Sequence, residues 1–178
     1  MDEIKALLAS CDLKTHSGIR DYAIVIVLFD TGVRVGELIS MSSPDWKNRL
    51  LRVDGKTGVR YVPLGLSSLQ ALERYIRKWN ILHAPMWIGK YGPLTTSGVL
   101  QMVRRRCTSF GIPYKGVHAF RRSAAAQMKR MGMNDSDIME IMGWGEVTML
   151  RRYIASVSLE LAQSAHSKYS PVDSVLNR

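Results

Sequence analysis

Three short stretches in the second half of this sequence carry side chains able to do chemistry: His118-Ala-Phe-Arg121, Gly143-Trp144 and Arg151-Arg152-Tyr153. A histidine three residues before an arginine shares one face of a helix with it. Together they offer a proton-transfer group beside a planar, permanently charged anion binder. A tyrosine brings a phenol that is a nucleophile when ionised. Two upstream positions add charge. Arg34 stands at the start of a short helix, where a cation opposes the helix dipole and asks for a compensating anion, and Glu37 one turn later can hold it. Lys56 sits in Asp54-Gly55-Lys56-Thr57-Gly58, at the tip of a hairpin turn, where a long ammonium can reach into a groove. Each has an ordinary reading as well: an amphipathic surface residue, a salt-bridged arginine, a solvated turn lysine.

Composition narrows the setting. The 178 residues suit one domain with enough apolar content (46%) to close a core. Cys11 and Cys107 lie far apart with no metal-ligand or redox spacing and read as inert thiols in a reducing compartment. An acidic, helix-forming start and apolar runs too short for a bilayer predict no signal peptide, no membrane span and a cytoplasmic location. A net charge of +10 and a pI near 9.9 favour a polyanionic partner, nucleic acid first, with solubility as the plain alternative. The basic residues are spread through amphipathic segments, so any binding surface is built by the fold.

The elements that must position these residues are punctuated clearly. Residues 2–11 predict a first helix; Tyr22 to Phe29 is apolar nearly all round and reads as a central buried helix, with a buried strand as the alternative, stopped at Thr31-Gly32. A short helix from Arg34 to about Met41 follows. Leu50–Val53 and Val59–Val62 flank the Lys56 turn as hairpin strands, with Trp46 on a possible third. Leu66, Leu69, Leu72, Ile76 and Trp79 trace a helix capped by Ser67 or Ser68. Residues 80–94 form an irregular connection with room for a short strand at Met86-Trp87-Ile88. Thr95 or Thr96 caps a helix carrying Leu100, Val103 and Cys107 inward and Arg104-Arg105-Arg106 around its other faces, phosphate contact and plain solvation being equally open for them. Then come a helix from His118 to Gly132, an Asn134-capped helix ending at Gly143, and a short helix beginning near Glu146 that carries Tyr153. The tail Ser158–Tyr169 is amphipathic.

In this order the segments Thr31-Gly-Val-Arg34-Val-Gly-Glu37-Leu38, Gly55-Lys56-Thr-Gly-Val-Arg60-Tyr-Val-Pro63-Leu64, His118-Ala-Phe-Arg121-Arg122 and Met142-Gly143-Trp144, followed nine positions later by Tyr153, resemble the signature of the tyrosine recombinase (phage integrase) catalytic domain. The resemblance spans almost the whole chain, and its strength lies in order and spacing. It implies an α+β, mainly α-helical catalytic domain with a small antiparallel sheet of two to three strands on one edge, over residues 1–178, without the N-terminal core-binding domain of full-length members. It implies that Arg34 and Arg121 clamp the scissile phosphate, Lys56 is the hairpin lysine, His118 the histidine before the second arginine, Trp144 the position that is His or Trp, Tyr153 the nucleophile and Glu37 the support of Arg34.

Those residue types suit the chemistry. A phosphodiester resists anionic attack, so metal-free cleavage needs its oxygens neutralised, a nucleophile supplied and the leaving oxygen protonated. Two arginines are forked donors for the first task. A free phenol, of pKa about 10, needs a base or a strong positive potential. Lys56 is a candidate general acid for the leaving 5′ oxygen. Trp144 cannot shuttle a proton, but its indole N–H can donate one hydrogen bond to a phosphate oxygen, which shifts acid–base work toward His118 and Lys56. Neither cofactor nor metal is expected: the sequence holds no phosphate-binding glycine loop, no paired carboxylates at metal spacing and no zinc pattern among His16, His83, His118 and His166. The resemblance implies double-stranded DNA as partner and a tetramer on DNA in which the tail docks on a neighbouring protomer, a helix folding back in cis being the alternative; Arg104, Arg105, Lys115, Arg122 and Arg152 are the candidate further contacts. A non-catalytic DNA-binding module and a type IB topoisomerase-like strand transferase are the competing functions.

Overall fold

The computed structural model describes residues 2–41, 47–55, 58–81 and 85–176. Lys56, Trp46 and His83 lie outside the described residues, and with them the hairpin-tip lysine and the third strand expected at Trp46. The described elements run α1 (Asp2–Ala9), α2 (His16–Thr31), α3 (Val35–Ile39), β1 (Leu50–Gly55), β2 (Gly58–Pro63), α4 (Leu66–Trp79), β3 (Ile88–Gly89), β4 (Gly92–Pro93), α5 (Thr96–Ser109), α6 (His118–Arg130), α7 (Asp135–Met142), α8 (Val147–Tyr169) and α9 (Pro171–Leu176). This is the expected helical domain with a small antiparallel sheet.

The apolar run in α2 is helical, not extended. Thr15 accepts the Gly18 N–H to cap it, and Ala23, Ile24, Val25, Val27 and Leu28 are all buried. Burial on every side outweighs the mild helix penalty of the β-branched residues. Gly32, at φ 61, ends the helix in the left-handed conformation. Strands β1 and β2 pair in register from Leu50 opposite Pro63 to Gly55 opposite Gly58, turning Leu51, Val53 and Val62 into the core. The small β3–β4 hairpin falls just after the strand expected at 86–88, because Met86 and Trp87 are core residues: the Trp87 indole donates to the Leu38 carbonyl (2.7 Å) and the Tyr75 hydroxyl to that of Met86 (2.9 Å).

Two expectations need correction. Helix α4 is capped at Gly65 rather than Ser67 or Ser68, since the Asp30 carboxylate accepts the Gly65 N–H (2.9 Å) and starts the helix earlier; Ser68 is buried inside it. The helix bearing Tyr153 is not short. It continues through the tail as the 23-residue α8, because Leu150, Ile154, Val157 and Leu161 hold one apolar stripe with no glycine or proline to break it. Pro171 then opens α9, a position where its missing N–H costs nothing.

The core divides into two apolar clusters. The larger joins α1 to α5, the hairpin and the start of α6; the smaller gathers Ala124–Ala126, Ile138, Met142, Trp144, Leu150, Ile154 and Val157 from α6, α7, α8 and the α7–α8 connection. One buried ionic staple lies in the larger. Asp21, 1% exposed, accepts Arg20 at Oδ1 (3.0 and 2.7 Å) and Arg106 at Oδ2 (2.8 Å), while Arg106 also donates to the Ser10 carbonyl (2.7 Å) and Arg20 to that of Ile88 (3.1 Å). Asp21→Ala leaves two buried guanidiniums without their shared anion. Urea unfolding is expected to show a loss of about 3–5 kcal/mol, and a variant as stable as wild type contradicts the staple.

Candidate active site

The site is assembled around a carboxylate. Arg34 precedes α3 as its N-cap residue in extended conformation, and Glu37, three residues on, turns back to it: the Arg34 backbone N–H donates to Glu37 Oε2 (2.7 Å) and its Nη1 to Oε1 (2.9 Å). Glu37 thus binds Arg34 through both its backbone and its guanidinium. A third residue, Arg60 of β2, joins them, placing Nη1 on Oε1 and Nη2 on Oε2 of Glu37, both at 2.9 Å, and Nε on the Ile141 carbonyl (3.2 Å). Burial pushes the Glu37 carboxyl up, but hydrogen bonds from Arg60 and from the Arg34 backbone, with the charge of Arg60 and the Arg34 guanidinium, outweigh it and hold the group at about 2.

The sequence pattern alone gives Arg60 no role. A usable signal was nonetheless present in strand alternation: Arg60 pairs with Val53 and lies two residues before Val62, so it shares the core-facing side of the hairpin with two fully buried valines. A cation on that side must find a buried anion.

Arg121 approaches from α6. It is 3% exposed and donates to the carbonyls of Gly32 (Nη1, 2.6 Å) and Met142 (Nη2), linking the ends of α2 and α7. Those carbonyls belong to helix C-termini, whose partial negative charge welcomes a guanidinium. Burial, then the neighbouring Arg34 charge, lower the Arg121 group to about 10, which leaves it protonated at neutral pH. Its guanidinium carbon lies 5.0 Å from the Trp144 ring centroid, and that ring stacks in turn, tilted by 36°, on Tyr153 at 4.7 Å. The indole N–H of Trp144 is buried and has no partner among the described residues.

Arg121, Trp144 and Tyr153 thus form one chain of contacts, and Arg34 and Glu37 lie near enough to act on the Arg121 charge. Arg34 remains partly exposed, its side chain 39% accessible. His118 opens α6, one turn before Arg121, and is exposed. Of the basic candidates, Arg104, Arg105, Arg122 and Arg152 are exposed, the last two edging a groove shared with Tyr153. Lys115 is tied to Glu3 (2.7 Å). Arg106 is absorbed by Asp21. Burial raises the pKa of the Cys11 and Cys107 thiols, in keeping with inert cysteines. The described residues hold no cluster of metal-ligating side chains, and no described helix is long and apolar enough to cross a membrane.

The sign of the Glu37 effect is testable. Its carboxyl is held below its ordinary 4.5, so the stabilisation is complete above about pH 4.5 and is lost as pH falls toward 2. The shift corresponds to about 3 kcal/mol at neutral pH. Glu37→Gln is expected to lower stability at pH 7 and to flatten its decline between pH 5 and 3 in urea-unfolding series; an unchanged acid slope contradicts the pairing.

The sequence and the fold have known counterparts. Residues 1–159 match the family model described as the phage integrase family. The chain is 32% identical over 172 residues to a putative integrase/recombinase, y4rA, of Sinorhizobium fredii, covering 89% of this chain and 41% of that protein. It is 29% identical over 187 residues to the tyrosine recombinase XerD of Xanthomonas axonopodis pv. citri, covering 95% and 61%. The chain therefore spans about half the length of these curated relatives. Among solved structures, the XerA recombinase superposes with a TM-score of 0.81 at 26% identity over 96% of this chain and 62% of that one. The Tn1549 transposon integrase in complex with transposon right end DNA superposes with a TM-score of 0.75 at 20% identity, over 93% and 64% respectively. With the family model matched over nearly its whole length and the catalytic-domain fold shared with recombinases, the chain belongs to the phage integrase family of tyrosine recombinases.

Proposed function

We propose that this chain is the catalytic part of a site-specific DNA recombinase, one that cleaves and rejoins DNA through a covalent 3′-phosphotyrosyl intermediate on Tyr153. The observation that carries the reading is the contact chain from Arg121 through Trp144 to Tyr153, beside an Arg34 already oriented by Glu37. Arg34 and Arg121 neutralise the non-bridging oxygens of the scissile phosphate. The buried Trp144 N–H, costly to leave unpaired, supplies a third donor. The Tyr153 phenolic oxygen attacks phosphorus, the bond to the 5′ oxygen breaks, and that oxygen leaves as a hydroxyl after taking a proton. Lys56 is the proposed general acid, and His118 the residue that manages the phenolic proton. Attack by another 5′ hydroxyl reverses these bond changes and joins a new partner, with no net consumption of a bond.

The partner in this reading is double-stranded DNA, and the basic residues Arg104, Arg105, Arg122 and Arg152 on the exposed surface suit phosphate contact. Binding is then expected to weaken steeply with salt. Assembly on DNA is proposed to use the tail: α9 buries none of its residues, and Val172, Val175 and Leu176 remain 61–75% exposed on one face, an apolar stripe for a neighbouring protomer.

Incubation with a nicked suicide duplex, followed by a denaturing gel, is expected to reveal a protein–DNA adduct that Tyr153→Phe abolishes. An undiminished adduct removes Tyr153 as nucleophile, while DNA binding without any adduct from wild type identifies a non-catalytic module. Plasmid relaxation without joining of two defined sites identifies a topoisomerase-like enzyme instead. For the tail, Val175→Asp is expected to eliminate multi-protomer complexes in native gels while leaving one-protomer DNA binding and the melting temperature unchanged; persistent multimers contradict docking through α9.

A further inference from the structure

We propose that Arg60 is a positioning residue for strand cleavage, holding both oxygens of Glu37 so that Arg34 is oriented without being neutralised, and fastening the β1–β2 hairpin to the end of α7. This rests on the functional reading above.

Arg60 differs from Arg34 and Arg121 in that all three of its guanidinium nitrogens are engaged within the fold, Nη1 and Nη2 with the two Glu37 oxygens and Nε with the Ile141 carbonyl. Each Glu37 oxygen consequently receives two donors, one from Arg34 and one from Arg60. Two guanidiniums against one carboxylate leave a net positive charge, and Arg121 adds another. Without Arg60, Glu37 has an unfilled position on each oxygen, and the nearest donor able to fill both is the Arg34 guanidinium. Arg34 would then be drawn into a closed, neutral pair and away from a phosphate.

The backbone closes on this guanidinium from two sides. A Cβ at Gly55 would stand 2.7 Å from Glu37 Oε1 and 3.3 Å from Arg60 Nη1, and one at Gly143 would stand 3.1 Å from Arg60 Nε. The slot therefore fits a planar fork, and a lysine would restore the charge but not the paired bonds. Position matters as well as charge. Arg60 reaches Ile141 while Arg121 reaches Met142, so adjacent carbonyls before Gly143-Trp144 are gripped from the hairpin and from α6. The hairpin that carries Lys56 in its turn is registered against the segment that carries Trp144.

The test measures single-turnover adduct formation on a nicked suicide duplex together with DNA affinity by fluorescence anisotropy. Arg60→Gln is expected to slow adduct formation by roughly a hundredfold with affinity little changed, the size of effect that a small misplacement of reacting groups produces. Arg60→Lys is expected to recover part of the rate. The double variant R60Q/E37Q should be slowed by less than the product of the two single losses, since the two changes share the Arg60–Glu37 interaction and E37Q adds only the loss of the bonds between Glu37 and Arg34. It also keeps the test valid if R60Q alone fails to give a cooperative melt, because removing both charges is far less disruptive than stranding one. A wild-type rate in R60Q, equal losses of rate and affinity, or losses that multiply in the double variant would each overturn the proposal. If wild type itself forms no adduct, the functional reading falls and this proposal with it; if wild type reacts and R60Q matches it, this proposal alone falls.

Discussion

The carboxylate of Glu37 is the constraint on which the rest of the site depends. Three guanidiniums, those of Arg34, Arg60 and Arg121, converge on a largely dehydrated region, and like charges in low dielectric repel strongly. One buried carboxylate offsets part of that repulsion, and helix-end carbonyls at Gly32, Ile141 and Met142 absorb more of it. The balance is deliberately incomplete in physical terms. Enough anion is present to let the cations fold together, yet a positive excess remains.

The same balance explains why α2, α3, β2, α6 and α7 meet where they do. Gly32 ends α2 in the left-handed conformation, and an added Cβ there would meet Met142 Cε at 2.5 Å, so that glycine serves both the helix stop and the approach of α7. Gly143 ends α7 in the same conformation against Arg60. Helix ends and charged side chains are therefore coupled: the turns expose carbonyls, and the arginines satisfy them.

Much of this was legible in the sequence because glycine, proline and hydrophobic period mark element ends with local physics. Gly32 and Gly143 mark the two helix stops, Asp54–Gly58 the hairpin, and the order of Arg34, His118, Arg121, Trp144 and Tyr153 the family. What stayed hidden depended on tertiary partners. Gly65 displaces the serines as cap of α4 because Asp30, thirty-five residues earlier, accepts its N–H. The unbroken α8 was masked because its Tyr153 half and its polar tail were read as separate segments, although Leu150, Ile154, Val157 and Leu161 keep helical spacing across the division. Arg60 was hidden by its type, since an arginine on a two-stranded hairpin usually faces water; its pairing with Val53 was the clue.

The two apolar clusters give the site its mechanical character. Leu38 beside Glu37 and Val53 opposite Arg60 belong to the larger one, whereas Trp144 and Tyr153 pack with the smaller. Helix α6 contributes to both, and Arg121 leaves it near the boundary. Across that boundary the contacts nearest the chemistry are directional, guanidinium to carbonyl, rather than apolar. Apolar surfaces slide at little cost in orientation, but a forked donor with fixed acceptors does not. A polar seam therefore lies between Tyr153 and Arg34, and directional bonds across it hold their relative geometry. Tyr153 lies on α8, which leads through Ser170 into the exposed α9, so a load taken by α9 reaches Tyr153 along α8 and is resisted by that seam.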